Sequence, residues 1–501
     1  MDSNWKNYWK NNWKKICNSI LFLIPLIAGT AGYLTSGKKI TDALYAGVAL
    51  YGISPVASDY NTLIEIARWT APLAAGAFIL QIIKSARDNI RWRVTLLTAD
   101  DSVAVYSDEK LNIEFEKGIG AIYPGKEFKG YAKSHMILFS SDSESLKFYK
   151  DHENELLQKK VYLGLRELES GLLKEIRNVR VFDINGSIAR LLWKKIALWD
   201  KDEKTLKKEF NIVIYGNDPL AQQILSVGLQ QNLYSQNQRI RYHFISDNPS
   251  FQIRHKDINL MNEDKICYYK TSDSEIWNIV SQADIVILTQ KENLDLLQTM
   301  AVRANNGTIY YYSPKEGDAA DYVSFGNSSS ENMIPFGREK EIFKDENIRQ
   351  SDLVKSAIEL NGRYMGIISK TERKKEWNKL NGFLKASNIS AADYGQIMKK
   401  LADKPSQGRI TEEELAKLEH IRWCRFHFLN YWKYGIPEDG KNKDEAKRIH
   451  KDLMEYGDLS PEEKEKDREN VRMFLKQNES REDGSCIFVK GKINEIRIKQ
   501  I

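Results

Sequence analysis

The chain has 501 residues, 42% of them hydrophobic and 29% charged, with a formal net charge of +6. That length calls for several domains, and so small a cationic excess is not the concentrated basic surface of a DNA or RNA binder. Cys17, Cys267, Cys424 and Cys486 form no CxxC pair and the histidines no HExxH pattern, which argues against a metal site or disulfide framework and for a reducing cytoplasm.

The first stretch, "NWKNYWKNNWKK", repeats tryptophan at Trp5, Trp9 and Trp13. Spacing of four puts three indoles on one helical face. Residues 1–15 are therefore expected as an amphipathic helix on the inner leaflet, with an interhelical contact as the alternative. "ICNSILFLIPLIAGTAGYL", Ile16 to Leu34, carries no charge and approaches the roughly 20 residues a membrane span needs. A signal peptide competes, because Lys14 and Lys15 precede it. The apolar run is overlong for one, and a second follows at Ile66 to Ile83 with only Arg68 inside, so residues 16–88 are read as a two-span unit. Lys6, Lys10, Lys14 and Lys15 before it, and Lys84, Arg87, Arg91 and Arg93 after it, put both termini in the cytoplasm. The expected location is the inner (cytoplasmic) membrane, multi-pass.

Between the spans lies "ITDALYAGVALYGIS", Ile40 to Ser54. As a helix it reaches only about 20 Å, too short to cross. Gly52, Ser54 and Pro55 then favour irregular backbone, which survives at membrane depth only when buried in protein or lining water. Residues 40–54 are expected to be a re-entrant pore helix, with Tyr45, Tyr51, Gly52 and Ser54 as pore candidates. A helix lying on the outer leaflet is the alternative. Span, pore helix, pore loop and span resembles potassium-channel-like pores. The TVGYG filter of that family is absent, so the resemblance implies a pore without potassium selectivity, built from a homo-oligomeric ring, a tetramer.

After Arg93 the pattern becomes short apolar strands alternating with helices: "RVTLLT", "SHMILFS", "KVYLGL" and "NVRVFDI", with helical runs at Glu144 to Leu157, Arg166 to Glu175 and "NGSIARLLWKKIALW". A second series begins with the strand Asn211 to Tyr215, a turn at Gly216 and a helix, followed by "IRYHFISD", "ADIVILTQ" and "GTIYYYS". Such alternation points to parallel, doubly wound sheets. The tandem resembles the RCK (TrkA-N-like) domains attached to two-span channels, with a degenerate first copy at 89–205 and a second at 206–315. In the second, Gly216, Asn217 and Asp247 are the nucleotide-site candidates. Asp218 and Ala221 stand where further glycines belong, and Asp218 would repel a pyrophosphate. Sheets that merely assemble a gating ring are the alternative.

Residues 316–382 are expected as a connection carrying the helix "SDLVKSAIELNGRYM". Residues 383–501 hold Glu419-His420-x-Arg422-Trp423, Trp432-x-Tyr434-Gly435, His450-x-Asp452-Leu453 and Glu465-x-Asp467-Arg468. Over 383–475 this is similar to the RyR domain, the helical repeat of ryanodine receptors and many bacterial proteins. Ser387-Asn388 and "MIPFGREKE" at 333–341 resemble the segments before it, although Ile389 replaces the usual arginine. Glu419, His420, Arg422, Trp423, Trp432, Tyr434 and Arg448, or Lys447 in its place, combine aromatic faces, cations and a carboxylate. That mix suits a stacked nucleobase with its phosphate or ribose held beside it, and aromatic core packing is the alternative. Adjacent His420 and Glu419 point apart on a helix, and no catalytic motif accompanies them.

The expected fold class is thus a membrane α-helical unit joined to cytoplasmic tandem Rossmann-like α/β domains and a C-terminal all-α RyR domain. The expected function is a ligand-gated ion channel or pore, not an enzyme, sensing a small nucleotide-type ligand. The resemblance to bacterial RyR-containing membrane proteins implies an anti-phage effector that depolarises the membrane. The alternatives are a non-conducting scaffold whose RyR domain binds a protein partner, and a membrane-bound nicotinamide-dependent enzyme.

Overall fold

The computed structural model describes residues 22–52, 61–168, 178–205, 209–290, 293–304, 307–325, 332–349, 352–403 and 410–475. It divides into two compact units, residues 1–99 and 100–501. The interfacial helix expected at 1–15, the pore candidate Ser54 and the helix expected from Arg166 to Glu175 lie wholly or largely outside the described residues.

The first unit contains α1 (Phe22–Thr35), α2 (Ile40–Ala49) and α3 (Thr62–Thr98). Its seams are made by small residues. A Cβ on Gly32 would stand 2.7 Å from the Ile64 side chain, and one on Gly47 2.7 Å from the Thr30 hydroxyl. These glycines let the helices approach closely, as small residues do between membrane helices. The interior is correspondingly slight: Tyr33, Ala43, Ala46, Leu50, Ile64, Ala67 and Ala71. Large apolar side chains face outward instead, Ile27, Leu44, Val48, Trp69 and Leu73 among them.

The helix α2 runs antiparallel to α1, with Gly47 against Thr30 and Leu50 against Gly29. Beyond it, the Tyr51 hydroxyl donates to the carbonyl of Phe22 at the start of α1. The Phe22 ring also packs 5.2 Å from that of Phe78, sixteen residues along α3. Asn61 stands at the opposite end. Its amide donates to Gly32 O at 2.7 Å and to Thr35 and Ser36, while its oxygen caps Ile64 N. Thus α2 descends part-way along the α1–α3 pair, and α3 begins back where α1 ends.

One helix stretch among the described residues, Thr62–Lys84, is long and apolar enough to cross a membrane; Phe22–Thr35 is apolar but shorter. The expected boundary at 88/89 and the strand "RVTLLT" are corrected. Residues 93–98 continue α3, one helix of 37 residues about 55 Å long, and the first strand starts at Asp101.

In the second unit, β1 (Asp101–Tyr106), β2 (Ile119–Ile122), β3 (Ser134–Ile137), β4 (Lys160–Leu165) and β5 (Val179–Asp183) form a five-stranded sheet in the order β2-β1-β3-β4-β5. Every pairing is parallel, and 2-1-3-4-5 is a doubly wound order. Helices α4 (Asp142–Asp151) and α5 (Glu153–Leu156) link β3 to β4, and α6 (Ile184–Ile196) and α7 (Leu198–Thr205) follow β5. The links on either side of β2 carry no helix.

The second sheet is β6 (Glu209–Tyr215), β7 (Arg239–Ile245), β8 (Lys265–Tyr269), β9 (Ile285–Leu288), β10 (Thr308–Tyr312) and β11 (Met333–Phe336), in the order β11-β10-β9-β6-β7-β8. It too is parallel throughout. Counted from β6 this is 6-5-4-1-2-3, the order of dinucleotide-binding sheets. Its helices are α8 (Pro219–Gln231), α9 (Ser250–His255), α10 (Ile276–Ser281), α11 (Leu294–Arg303) and α12 (Ala319–Phe325). The expected end of this domain at 315 is corrected, since β11 comes from the segment read as a connection. Pro335 within it explains the misreading: proline lacks the ladder donor and is confined to edges, and β11 is an edge strand.

The two sheets are joined through α6 and α8. Trp193 donates to Ile224 O at 2.8 Å, and its ring lies where a Cβ on Gly228 would be, 2.6 Å away. Then α13 (Glu339–Ile342) and α14 (Asp345–Arg349) return to the first sheet, where Arg349 pairs with Asp345 and Asp101, each at 2.5 Å. A helical module closes the unit: α15 (Asp352–Tyr364), α16 (Lys370–Trp377), α17 (Gly382–Ala402), α18 (Glu412–Leu429) and α19 (Pro461–Leu475). It is not purely helical, because β12 (Lys433–Tyr434), β14 (Ile449–His450) and β13 (Lys443–Asp444) form a small sheet between α18 and α19.

Candidate functional site

The helix α18 starts with a reciprocal capping box: Glu414 N donates to Thr411 Oγ1 at 3.2 Å, and Glu414 Oε2 accepts from Thr411 N at 2.8 Å. It is then buried on every side, polar residues included. Arg422 and Glu419 are each 1% exposed and form a two-pronged ion pair, Nε and Nη2 to the two carboxylate oxygens at 2.8 and 2.7 Å. The remaining Arg422 nitrogen donates to Ser390 on α17 at 2.9 Å. Burial pushes the Glu419 carboxyl up, and the Arg422 charge pulls against it. Arg422, expected as a ligand contact, is thus an internal tie between Glu419 and α17.

His420 is equally enclosed. Its Nε2 donates to Met454 O at 2.8 Å and its Nδ1 faces Asp467 Oδ2 at 3.2 Å. Burial works against a charged ring here, but the hydrogen bonds to Asp467 and Cys424 outweigh it and hold the pKa up at about 11. His427 and His450 go the other way, burial lowering them to about 3 and about 4. They form an aromatic core with Trp423, whose ring lies 4.2 Å from His427 and 5.0 Å from His450. Trp432 is buried, stacked on Phe383 at 5.4 Å.

Of the expected set, Trp423 and Arg448 are half-buried and Tyr434 and Lys447 exposed. Lys447 pairs with Glu438 at 2.7 Å. Arg448 donates to Asn430 O at 2.8 Å and lies over the Tyr431 ring. Tyr431 and Arg448 both have left-handed backbone, φ 66° and 50°, and Tyr431 also stacks on His255 of α9 at 5.6 Å.

Sequence reasoning missed Arg425, which is fully buried. It donates to Leu229 O, Leu260 O, Asn262 Oδ1 and Asp264 Oδ2 at 2.6–2.8 Å, all on the second sheet's α8–β7 side and β7–β8 connection. Tyr394 adds a bond to Leu233 O at 2.7 Å. The module is thereby fastened onto the second sheet. Only the run of polar residues inside an otherwise apolar helix hinted at this.

The other candidates meet at the carboxyl ends of β6 and β7, beside the β6–β9 point where the strand order reverses and such sheets bind ligands. Gly216 is needed there, because a Cβ would stand 1.9 Å from Thr289 Oγ1. The crevice is occupied by the chain's own groups. Asp218 caps α8, accepting from Ala221 N at 2.9 Å, and its other oxygen accepts from Thr289 Oγ1 at 2.5 Å. Asn217 accepts from Asp247 N at 2.7 Å. The Asp247 carboxylate accepts from the hydroxyl and amide of Thr271, which hold its pKa below the usual range. In the first sheet Asp142 similarly fills a nest of three amides, Arg166, Glu167 and Leu168, at 2.7–2.9 Å. At the start of α8, then, a carboxylate takes the amide that a phosphate would use in such a sheet.

Of the pore candidates, Tyr51 is tied to Phe22, no atom of the described residues apart from its chain neighbours lies within 4 Å of where a Cβ on Gly52 would stand, and Tyr45 faces outward, 69% exposed.

Residues 405–478 match the RyR domain family, a stretch holding α18, the small sheet and α19. The match leaves out α17 and the Ser387-Asn388 pair, which the resemblance had included. No curated protein and no solved structure matches the chain.

Proposed function

We propose that the protein is a ligand-gated membrane pore, its first unit inserted in the bilayer and its second unit responding to a small nucleotide-type ligand in the cytoplasm. The observation that carries this is the course of α2, which dips along the α1–α3 pair and leads to Tyr51 at the Phe22 end, while Asn61 is already back at the Gly32 end. Glycine-lined seams and large apolar side chains on the outside support the bilayer as its solvent. Two spans cannot enclose a pore, so the reading requires a homo-oligomer, a tetramer by analogy with two-span channels. An anti-phage role is a further step resting on resemblance alone.

For ligand recognition, the burial of Glu419, His420 and Arg422 leaves Tyr434, Arg448 and the half-buried Trp423 as the reachable part of the set. The Asp218 carboxylate at the start of α8 weighs against the second sheet as a nucleotide site and against nicotinamide-dependent chemistry. The same burial favours one second reading, a membrane-anchored scaffold whose RyR domain docks a protein.

Ion flux from liposomes holding the purified chain, measured with a panel of linear, cyclic and nicotinamide nucleotides, separates the two. Flux appearing with one nucleotide and reduced by Tyr434→Ala supports the gated pore. An inserted, assembled protein that passes no ions under any condition leaves the scaffold.

A further inference from the structure

The helix α3 runs on past its membrane-length part, Thr62–Lys84, to Thr98, an extension of about 20 Å. Arg87, Arg91 and Arg93 lie on that extension, and such charges keep it out of the hydrocarbon. It nevertheless leaves Ile90, Val94 and Leu97 62%, 52% and 73% exposed. These three complete a pattern that begins much earlier. From Trp69 to Leu97, alternate steps of four and three residues land on an apolar residue or glycine everywhere except at Arg87. Every large apolar side chain in that series is exposed. Gly76, also in it, is open: outside its own stretch of helix, no atom of the described residues lies within 4 Å of where its Cβ would stand. Within the chain α3 packs through another face, that of Ile64, Ala67 and Ala71. Lipid covers the stripe as far as Lys84 but does not reach Ile90, Val94 and Leu97.

We infer that α3 is the surface through which copies of this chain meet, forming a parallel coiled-coil stem that leaves the membrane and ends near Leu97. A seam recurring about every 3.5 residues over roughly four heptads is the signature of helices wound around one another. The occupant is a second copy, because its own α3, held in the same membrane orientation, presents the same stripe in register both inside the bilayer and beyond it. Written as heptads, Leu80 and Val94 take position a, and Ile83, Ile90 and Leu97 position d. Leucine at a with isoleucine at d favours trimers and tetramers over pairs. Arg87, the one charge in the seam, sets register at a cost in stability. The inference rests on the homo-oligomeric membrane reading above and names the contact that reading requires.

The test is thiol cross-linking of the full chain in detergent micelles, read beside native mass spectrometry of the same samples. The reagent is a bis-maleimide spanning roughly the 8–10 Å between packed helix axes. Ile90→Cys and Leu97→Cys should each give a ladder of covalent oligomers. Thr95→Cys, which lies off the seam, and the chain with only its native cysteines should not. An oligomeric protein that gives no ladder at 90 and 97, or an equal one at 95, overturns the stem and leaves a different protein as the cover of this face. A wild-type chain that is monomeric by mass overturns the oligomeric pore itself.

Discussion

Arg425 makes its four hydrogen bonds in a site with no solvent, opposite Asp264, which is also fully buried. Removing one partner of such a pair strands the other charge, which typically costs about 3–5 kcal/mol. Arg425→Ala should therefore lower the unfolding free energy from a denaturant titration by that order; a change within about 0.5 kcal/mol, normal for surface positions, would contradict this docking. The histidines make a pH prediction. His420 is held up at about 11, so its contribution is complete below the unfolded value near 6.5 and is lost as pH rises towards 11. His427 and His450 are held down at about 3 and about 4, so the unfolded chain takes up their protons first as pH falls below about 6.5. The histidine contribution then peaks near neutrality. Thermal melts across pH should show His420→Asn flattening the alkaline limb and leaving the acid limb in place.

At the scale of elements, the α6–α8 seam depends on Trp193 filling the space beside Gly228. Trp193→Ala leaves a cavity and removes the indole's bond to Ile224 O, and should cost about 3–5 kcal/mol by the same titration. Much of the fold was legible because buried parallel strands such as Ile212–Tyr215 and Ile285–Leu288 are continuous apolar runs. Other elements carried no such signal. β2 is four residues with a glycine, β11 contains Pro335, and the β-branched residues of 93–98 merely continue the helix begun at Thr62. The site was harder. Glu419 and Arg422 were read as helical, which they are, but a helix buried all round gives no polar face from which to tell contact from core. The missing glycines around Asp218 were visible; that its carboxylate would fill the crevice was not.

At the scale of the molecule, the helix start that would hold a pyrophosphate in the second sheet is taken by Asp218, so NAD and related dinucleotides should give no saturable heat by titration calorimetry. Asp218→Asn should not create a site while Asn217 still holds Asp247. A tight nicotinamide nucleotide complex would reverse that assignment. The central claim, that α2 and the turn Leu50–Gly52 after it line a conduction path, is tested most directly by current through planar bilayers containing the wild-type chain, Tyr51→Asp or Gly52→Asp. The account predicts unitary currents whose size or selectivity changes with either substitution. Wild-type currents reproduced unchanged by both variants, or no current from an inserted and assembled wild type, would contradict it.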